Sequence, residues 1–168
     1  MTASNEDQKP DPILNIVLFQ PEIPGNTGAV GRTCVALGAK LWLVRPLGFR
    51  VDEKTVRRAG LDYWQHLNWE VADHWDDLLK RLGSTRFWYF SRFATKSYTT
   101  INFQRGDTFV FGAETSGLPK SITQPNQDRL LRVPTTDKVR SLNLATTCLL
   151  YTSPSPRDQR GSRMPSSA

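Results

Sequence analysis

Cysteine is scarce in this chain: Cys34 and Cys148 are the only two in 168 residues. That is too few for a disulfide framework or a zinc site. Both lie in apolar stretches, so each is expected to pack as a small buried hydrophobe. Long hydrophobic runs are also missing. Nothing approaches the ~18 apolar residues a membrane span needs, and residues 1–12 are polar, without the apolar core of a secretion signal. These absences point to a soluble chain in a reducing, cytoplasmic setting. What is present is an ordinary apolar fraction of 38%, on a length sufficient for one domain with a real core.

Acidic residues are outnumbered, 16 to 22, which leaves a net charge of +6. The ends do not account for it. Residues 1–12 carry −2 and residues 151–168 carry +2, so the intervening body holds the whole excess. A folded body with that balance suits a polyanionic partner such as RNA or DNA, although many basic proteins bind no nucleic acid.

Along the chain, residues 15–19 (NIVLF) are apolar and β-branched, the pattern of a buried strand. Pro21 and Pro24 forbid its continuation. Asn26 is expected to cap a helix over 27–37 that Gly38 closes. A second strand (40–44), a turn (46–49) and a short charged helix around 53–58 follow. Asp73 is expected to cap the next helix, with Asp76 and Asp77 early, Lys80 and Arg81 late and Gly83 past its end, an order that suits the helix dipole. Residues 87–90, 108–111 and 130–133 complete five predicted strands. Strands alternating with helices predict an α/β fold with a parallel sheet covered on both faces. A last helix begins near Leu144, with Leu144, Thr147, Cys148 and Tyr151 at helical spacing, and Pro154 and Pro156 stop it. Residues 1–12 read as a disordered leader and 13–150 as one domain. Residues 151–168 have the composition of a disordered tail, either a natural extension or a frameshift scar.

Three polar segments leave strand ends, where α/β folds bind ligands. Pro24-Gly-Asn-Thr-Gly-Ala-Val-Gly-Arg32 joins the first strand to a helix. Its glycine spacing is not that of a dinucleotide fingerprint, and no phosphate-loop lysine follows. Phe111-Gly-Ala-Glu-Thr-Ser-Gly-Leu-Pro119 carries one carboxylate, Glu114, which could hold backbone donors or bind a ligand hydroxyl. Arg132-Val-Pro-Thr-Thr-Asp-Lys-Val-Arg-Ser-Leu-Asn-Leu144 ends at a helix start, with Ser141 as the expected N-cap and Asn143 in the first turn. Each alone reads as a capped turn, and a lone helical Arg32 as a surface ion pair.

In this order the three segments resemble the motifs of the SpoU branch of the SPOUT methyltransferases: Asn26-x-Gly-x-x-x-Arg32, Phe111-Gly-x-Glu-x-x-Gly-Leu118 and Ser141-Leu-Asn143. Residues 16–24 (IVLFQPEIP), 46–49 (PLGF) and 57–63 (RRAGLDY) sharpen the likeness to the small single-domain members acting on cytidine or uridine 34 of tRNA. The resemblance covers roughly residues 14–148. It implies a parallel-sheet α/β fold with a C-terminal deep trefoil knot, a homodimer, and S-adenosylmethionine (SAM) as methyl donor without any metal. The cofactor would be lined by Phe90, Gly112, Val133, Ser141 and Leu142. The catalytic group would comprise Arg32, Asn26, Glu114 and Asn143. The partner would be the tRNA anticodon loop. Arg57, Arg58, Lys138 and Arg140 would meet phosphates, and Tyr63 or Trp64 would stack on an unpaired base. Packing is the expectation for at least two of Trp64, Trp69 and Trp75. The alternatives are a non-catalytic RNA-binding relative and an NADP oxidoreductase using Arg45, from which the glycine spacing detracts.

Overall fold

The computed structural model describes residues 11–51, 62–136, 138–139 and 142–152. The predicted leader, the helix around 53–58 and the tail after 152 lie outside them, apart from residues 11 and 12 of the leader. Six strands form one sheet in the order β3-β2-β1-β5-β4-β6: β1 Asn15–Phe19, β2 Lys40–Val44, β3 Trp69–Ala72, β4 Phe87–Phe90, β5 Thr108–Phe111 and β6 Leu130–Leu131. Every pairing is parallel. Among the described residues the α-helices are α1 Pro24–Leu37, α2 Trp75–Leu82, α3 Lys120–Thr123 and α4 Leu144–Thr152.

The sheet is buried on both faces, which is why its strands read as continuous apolar runs rather than alternating ones. Ile16 and Leu18 of β1 enter one core with Val30 and Cys34 of α1 and Cys148 of α4. Val17 and Phe19 enter the other, with Leu78 of α2 and Ile122 of α3. Both cysteines are free and buried, as expected. Burial pushes the Cys34 thiol up to about 12, so it stays protonated near neutral pH. The tryptophans pack: Trp64 lies 5.3 Å from Trp69, and Trp75 meets the rings of Phe19, Phe87 and Tyr89.

Four expectations shift. β3 was not anticipated, because four residues with Glu70 among them give too short an apolar signal for an edge strand; Glu70 there pairs with Lys40 and Arg81. β6 ends at Leu131 rather than residue 133, because β4, its partner, ends at Phe90 opposite Leu131. Arg132 adds only a bridge to Ser97. α1 begins three residues early, with Pro24 in its first turn, where the missing N–H costs nothing, so Asn26 is inside the helix and Ile23 is the cap. His74, not Asp73, caps α2, its Nδ1 accepting the Asp77 N–H at 3.1 Å. The charge order along α2 and the left-handed Gly38 closing α1 follow expectation.

One buried charge organises the N-terminal ends of β4 and β5. Asp107, with 2% of its side chain exposed, accepts from Arg86 through both carboxylate oxygens at 2.7 Å. It also accepts from Trp88 Nε1 at 3.1 Å and Gln104 N at 2.9 Å. Asp107→Ala takes the acceptor from four N–H donors on three residues and is expected to cost about 3 kcal/mol, read from the urea unfolding midpoint. A change under about 0.5 kcal/mol, the size of an ordinary surface substitution, contradicts this account.

Strand order reverses at β1. The chain runs outward through β2 and β3, then returns to the opposite side for β4, β5 and β6. The exits of β1 and β5 therefore lie side by side, the place where open α/β sheets bind ligands.

Candidate active site

The loop after β5 turns back on itself. Gly117 adopts φ +69°, and its N–H bonds to Ala113 O at 2.8 Å. A Cβ on Gly112 would lie 2.1 Å from the carbonyl carbon of Gly117 and 2.3 Å from Leu118 N, so only glycine permits this fold. The turn aims Glu114 across the switch point at the start of α1. Its carboxylate accepts from Glu22 N at 2.8 Å, Ile23 N at 3.2 Å and Asn26 Nδ2 at 3.1 Å. A negative charge beside a helix N-terminus is favourable. Of the two roles open to Glu114, holding backbone donors is the one this geometry fills.

The clasp is reciprocal. Glu22 accepts from Thr115 N at 2.9 Å and Thr115 Oγ1 at 2.7 Å. It also continues into α4. Asn143 Nδ2 donates to Asn26 Oδ1 at 3.0 Å, while Asn143 Oδ1 accepts from Ala145 N at 2.9 Å. Asn143 is thus the residue that caps α4 from just outside it. Ser141, the expected cap, lies outside the described residues. Three segments remote in sequence are tied through Asn26, Glu114 and Asn143.

Beside this knot of hydrogen bonds is a cavity of about 580 Å³. Phe90, Gly112, Val133 and Leu142 line it, as do Asn26, Glu114 and Asn143. Its volume is in the range of small-molecule and cofactor sites. Its walls mix aromatic and aliphatic side chains with loop backbone, a lining that suits a nucleoside-sized ligand. Among the described residues there is no cluster of three or more His, Cys, Asp or Glu that could hold a metal ion, and no helix is long and apolar enough to cross a membrane.

Arg32 is not among the lining residues. It lies six positions beyond Asn26 on α1, about 9 Å along the axis and on another side of the helix. Its guanidinium stands 4.6 Å over the Tyr63 ring and 4.0 Å from Asp62, largely exposed. Tyr63 is correspondingly not a free stacking surface. Its residue is 9% exposed, one face of the ring lies under Arg32, and its hydroxyl donates to Gly28 O. Burial raises its pKa, with the nearby Arg32 charge opposing. Tyr63 supports the arginine and α1 together. Trp64 packs against Gly31 and Trp69. Lys138 is exposed. Arg57, Arg58 and Arg140 lie outside the described residues. Arg45 is engaged with Asp73 at 3.3 Å, which weakens its candidacy as a phosphate reader.

Sequence reasoning missed Glu22 and Thr115, the return half of the clasp. A carboxylate between two prolines at a strand exit was the available signal. It also missed Arg92 and Phe93 at the cavity, for which no pattern in the chain gives a cue, and gave no role to Arg132, which opens the third polar segment.

Residues 13–152 match the model of the SpoU rRNA Methylase family. A tRNA (cytidine(34)-2'-O)-methyltransferase of Methylovorus glucosotrophus is 42% identical over 142 residues, covering 83% of this chain and 92% of the relative. A solved structure reported for structural insights into the 2-OH methylation of C/U34 on tRNA is 39% identical, with a TM-score of 0.78, and covers 88% of this chain and 97% of its own. The SpoU methyltransferase AviRb of Streptomyces viridochromogenes, solved with AdoMet, shares the fold at 21% identity and a TM-score of 0.73, with coverage of 97% and 64%.

Proposed function

This chain belongs to the SpoU rRNA methylase family, and from that premise we propose that it transfers a methyl group from SAM to the ribose 2′-OH of nucleotide 34, a cytidine or uridine, of tRNA. The observation that carries the reading is the cavity at the β1/β5 switch point, walled by Phe90, Gly112, Val133 and Leu142 and braced by the Asn26–Glu114–Asn143 bonds. The named relatives and the basic body support it.

Those residues fit SAM. The apolar walls suit an adenine ring, and the tight glycine loop brings main-chain groups close enough to read its edge. SAM supplies a methyl already activated on a sulfonium, so the reaction needs no metal. The protein's work is to bind, orient and manage charge. Glu114, held by two backbone N–H groups, is a brace rather than a base. The guanidinium of Arg32 is a planar donor rather than a base. Its role is to bind a phosphate next to the target ribose and stabilise the developing alkoxide, with the hydroxyl proton passing to phosphate or water.

We propose on the same footing a homodimer, a deep trefoil knot in the C-terminal part, a cytoplasmic setting and a single domain over 13–150. Arg32 lying outside the cavity of its own chain favours the dimer, since the guanidinium of one protomer can serve the cavity of its partner.

The test is incubation with labelled SAM and total tRNA, followed by mass mapping of the modified nucleotide. Label on the ribose of nucleotide 34 is expected; no transfer, or label on a base or another nucleotide, overturns the reading. A thermal shift with S-adenosylhomocysteine and none with NADPH separates it from a dehydrogenase. Binding to tRNA is expected to weaken steeply with salt, because phosphate contacts release counterions. A flat salt response contradicts phosphate-led binding.

A further inference from the structure

The turn leaving β4 presents an unusual surface. Phe93 is 79% exposed, the most exposed of the large hydrophobic residues among those described. It is held there by local bonds. Its N–H donates to Ser91 Oγ at 3.3 Å, Ala94 N donates to Ser91 O at 3.2 Å, and Ser91 N is tied to Leu131 O at 2.9 Å. The guanidinium of Arg92 lies 4.6 Å from the centre of the Phe93 ring. Arg92, Phe93 and Arg132 all line the cavity that holds Gly112 and Glu114. No carboxylate pairs with Arg92 or Arg132 among the described residues.

An exposed aromatic ring with Arg92 against it and Arg132 on the same cavity, neither paired with a carboxylate among the described residues, is poorly explained by packing. It matches what a single-stranded nucleic acid asks of a protein: a flat apolar face for one unstacked base and cations for the adjoining phosphates. Any RNA whose ribose reaches this cavity must carry its neighbouring nucleotides across the cavity mouth. The rings first offered for base stacking are covered: Tyr63 is only 9% exposed, and Trp64 packs on Gly31 and Trp69.

We infer that Phe93 is the stacking platform for an unpaired base flanking the methylated nucleotide, and that Arg92 and Arg132 hold that nucleotide's phosphates at the mouth. This deepens the proposed tRNA reading and rests on it. The occupant is single-stranded RNA, read by stacking and charge and not by hydrogen bonds to the base edge, so the flanking position should tolerate any base.

The full chain is tested with bulk tRNA, by methyl transfer from labelled SAM and by filter binding across a salt series. Phe93→Ala is expected to raise KM for tRNA about tenfold, the worth of one base–aromatic stack, with the salt slope unchanged. Phe93→Trp should restore it. Arg92→Ala is expected to weaken binding and lower the salt slope by about one. Each variant should lose far less affinity for S-adenosylhomocysteine, by calorimetry, than for tRNA, because both side chains stand exposed at the rim of the cavity. The inference is overturned if Phe93→Ala leaves KM for tRNA unchanged. It is also overturned if S-adenosylhomocysteine affinity falls instead, which makes the ring a cofactor wall, or if the variant only shifts the oligomeric state by sedimentation. Absence of tRNA methylation by the unmodified chain is a different result, and removes the functional reading itself.

Discussion

Arg32→Ala is expected to lower turnover by about 10³-fold, the upper range for deleting a donor aimed at developing negative charge. S-adenosylhomocysteine binding should be unchanged. The separation follows from geometry: Arg32 does not line the cavity, so its loss removes none of the walls formed by Phe90, Gly112, Val133 and Leu142. Nor does it unseat α1, whose start is held by Glu114 and whose next turn is held by the Tyr63 hydroxyl on Gly28 O. Single-turnover methyl transfer and calorimetry on the same preparation read the two quantities. A variant with near-normal rates would show that the guanidinium carries none of the transition-state charge. Arg32→Lys is expected to recover little, because a flexible ammonium does not reproduce a planar fork stacked on an aromatic ring. If the arginine serves the partner's cavity, mixing Arg32→Ala chains with chains defective in the cavity should restore part of the activity.

Gly112→Ala is expected to abolish detectable S-adenosylhomocysteine binding in calorimetry and thermal shift. The added methyl would stand 2.1 Å and 2.3 Å from main-chain atoms of Gly117 and Leu118. Neither atom is the end of a flexible side chain, so the loop itself must move. Overpacking of this kind typically costs 1–3 kcal/mol. Here the displaced backbone also carries Glu114 and Thr115, so the clasp to Glu22 and Asn26 opens with it. By contrast, alanine at Gly25 meets nothing within 4 Å and should bind normally, provided α1 tolerates it. A Gly112→Ala protein with full cofactor affinity would mean that this loop is not part of the pocket.

Much of this was readable from the chain. Strands β1, β2, β4 and β5 stand at the predicted residues, because sheets buried on both faces write themselves as short apolar runs between turn residues. The edge strands were less legible. β3 is a four-residue segment with a charged side chain toward solvent, and β6 stops where its neighbour stops, which is a fact about pairing and not about residues 130–133. Helix caps moved by a few positions for a similar reason. Asn26 is an excellent capping residue, yet α1 starts at Pro24, so Asn26 lies inside the first turn and its Nδ2 donates to Glu114, 88 positions away. Asn26 is then free to bond Asn143.

The site divides the same way. Asn26, Glu114 and Asn143 were chosen together, and the fold does join them. Tyr63 was expected to meet RNA, and the fold places its ring beneath Arg32 with its hydroxyl on Gly28 O, since an aromatic side chain in the sequence does not say which of its faces is covered. Phe93 gave no signal at all. Exposure is a property of neighbours, and the neighbours of a loop ring come from other strands.

What the order of residues determined by itself was local: which stretches are apolar enough to be buried strands, where proline and glycine break them, and a positive charge carried by the folded body. Those follow from side-chain chemistry and backbone sterics over a few positions. Only the tertiary structure decided which strand exits lie side by side, and hence that Glu114 braces α1, that Arg32 rests on Tyr63 outside the cavity, and that Phe93 faces solvent at its mouth. Each of these depends on groups tens of residues apart meeting within hydrogen-bond or van der Waals distance, and short-range pattern carries no record of such meetings.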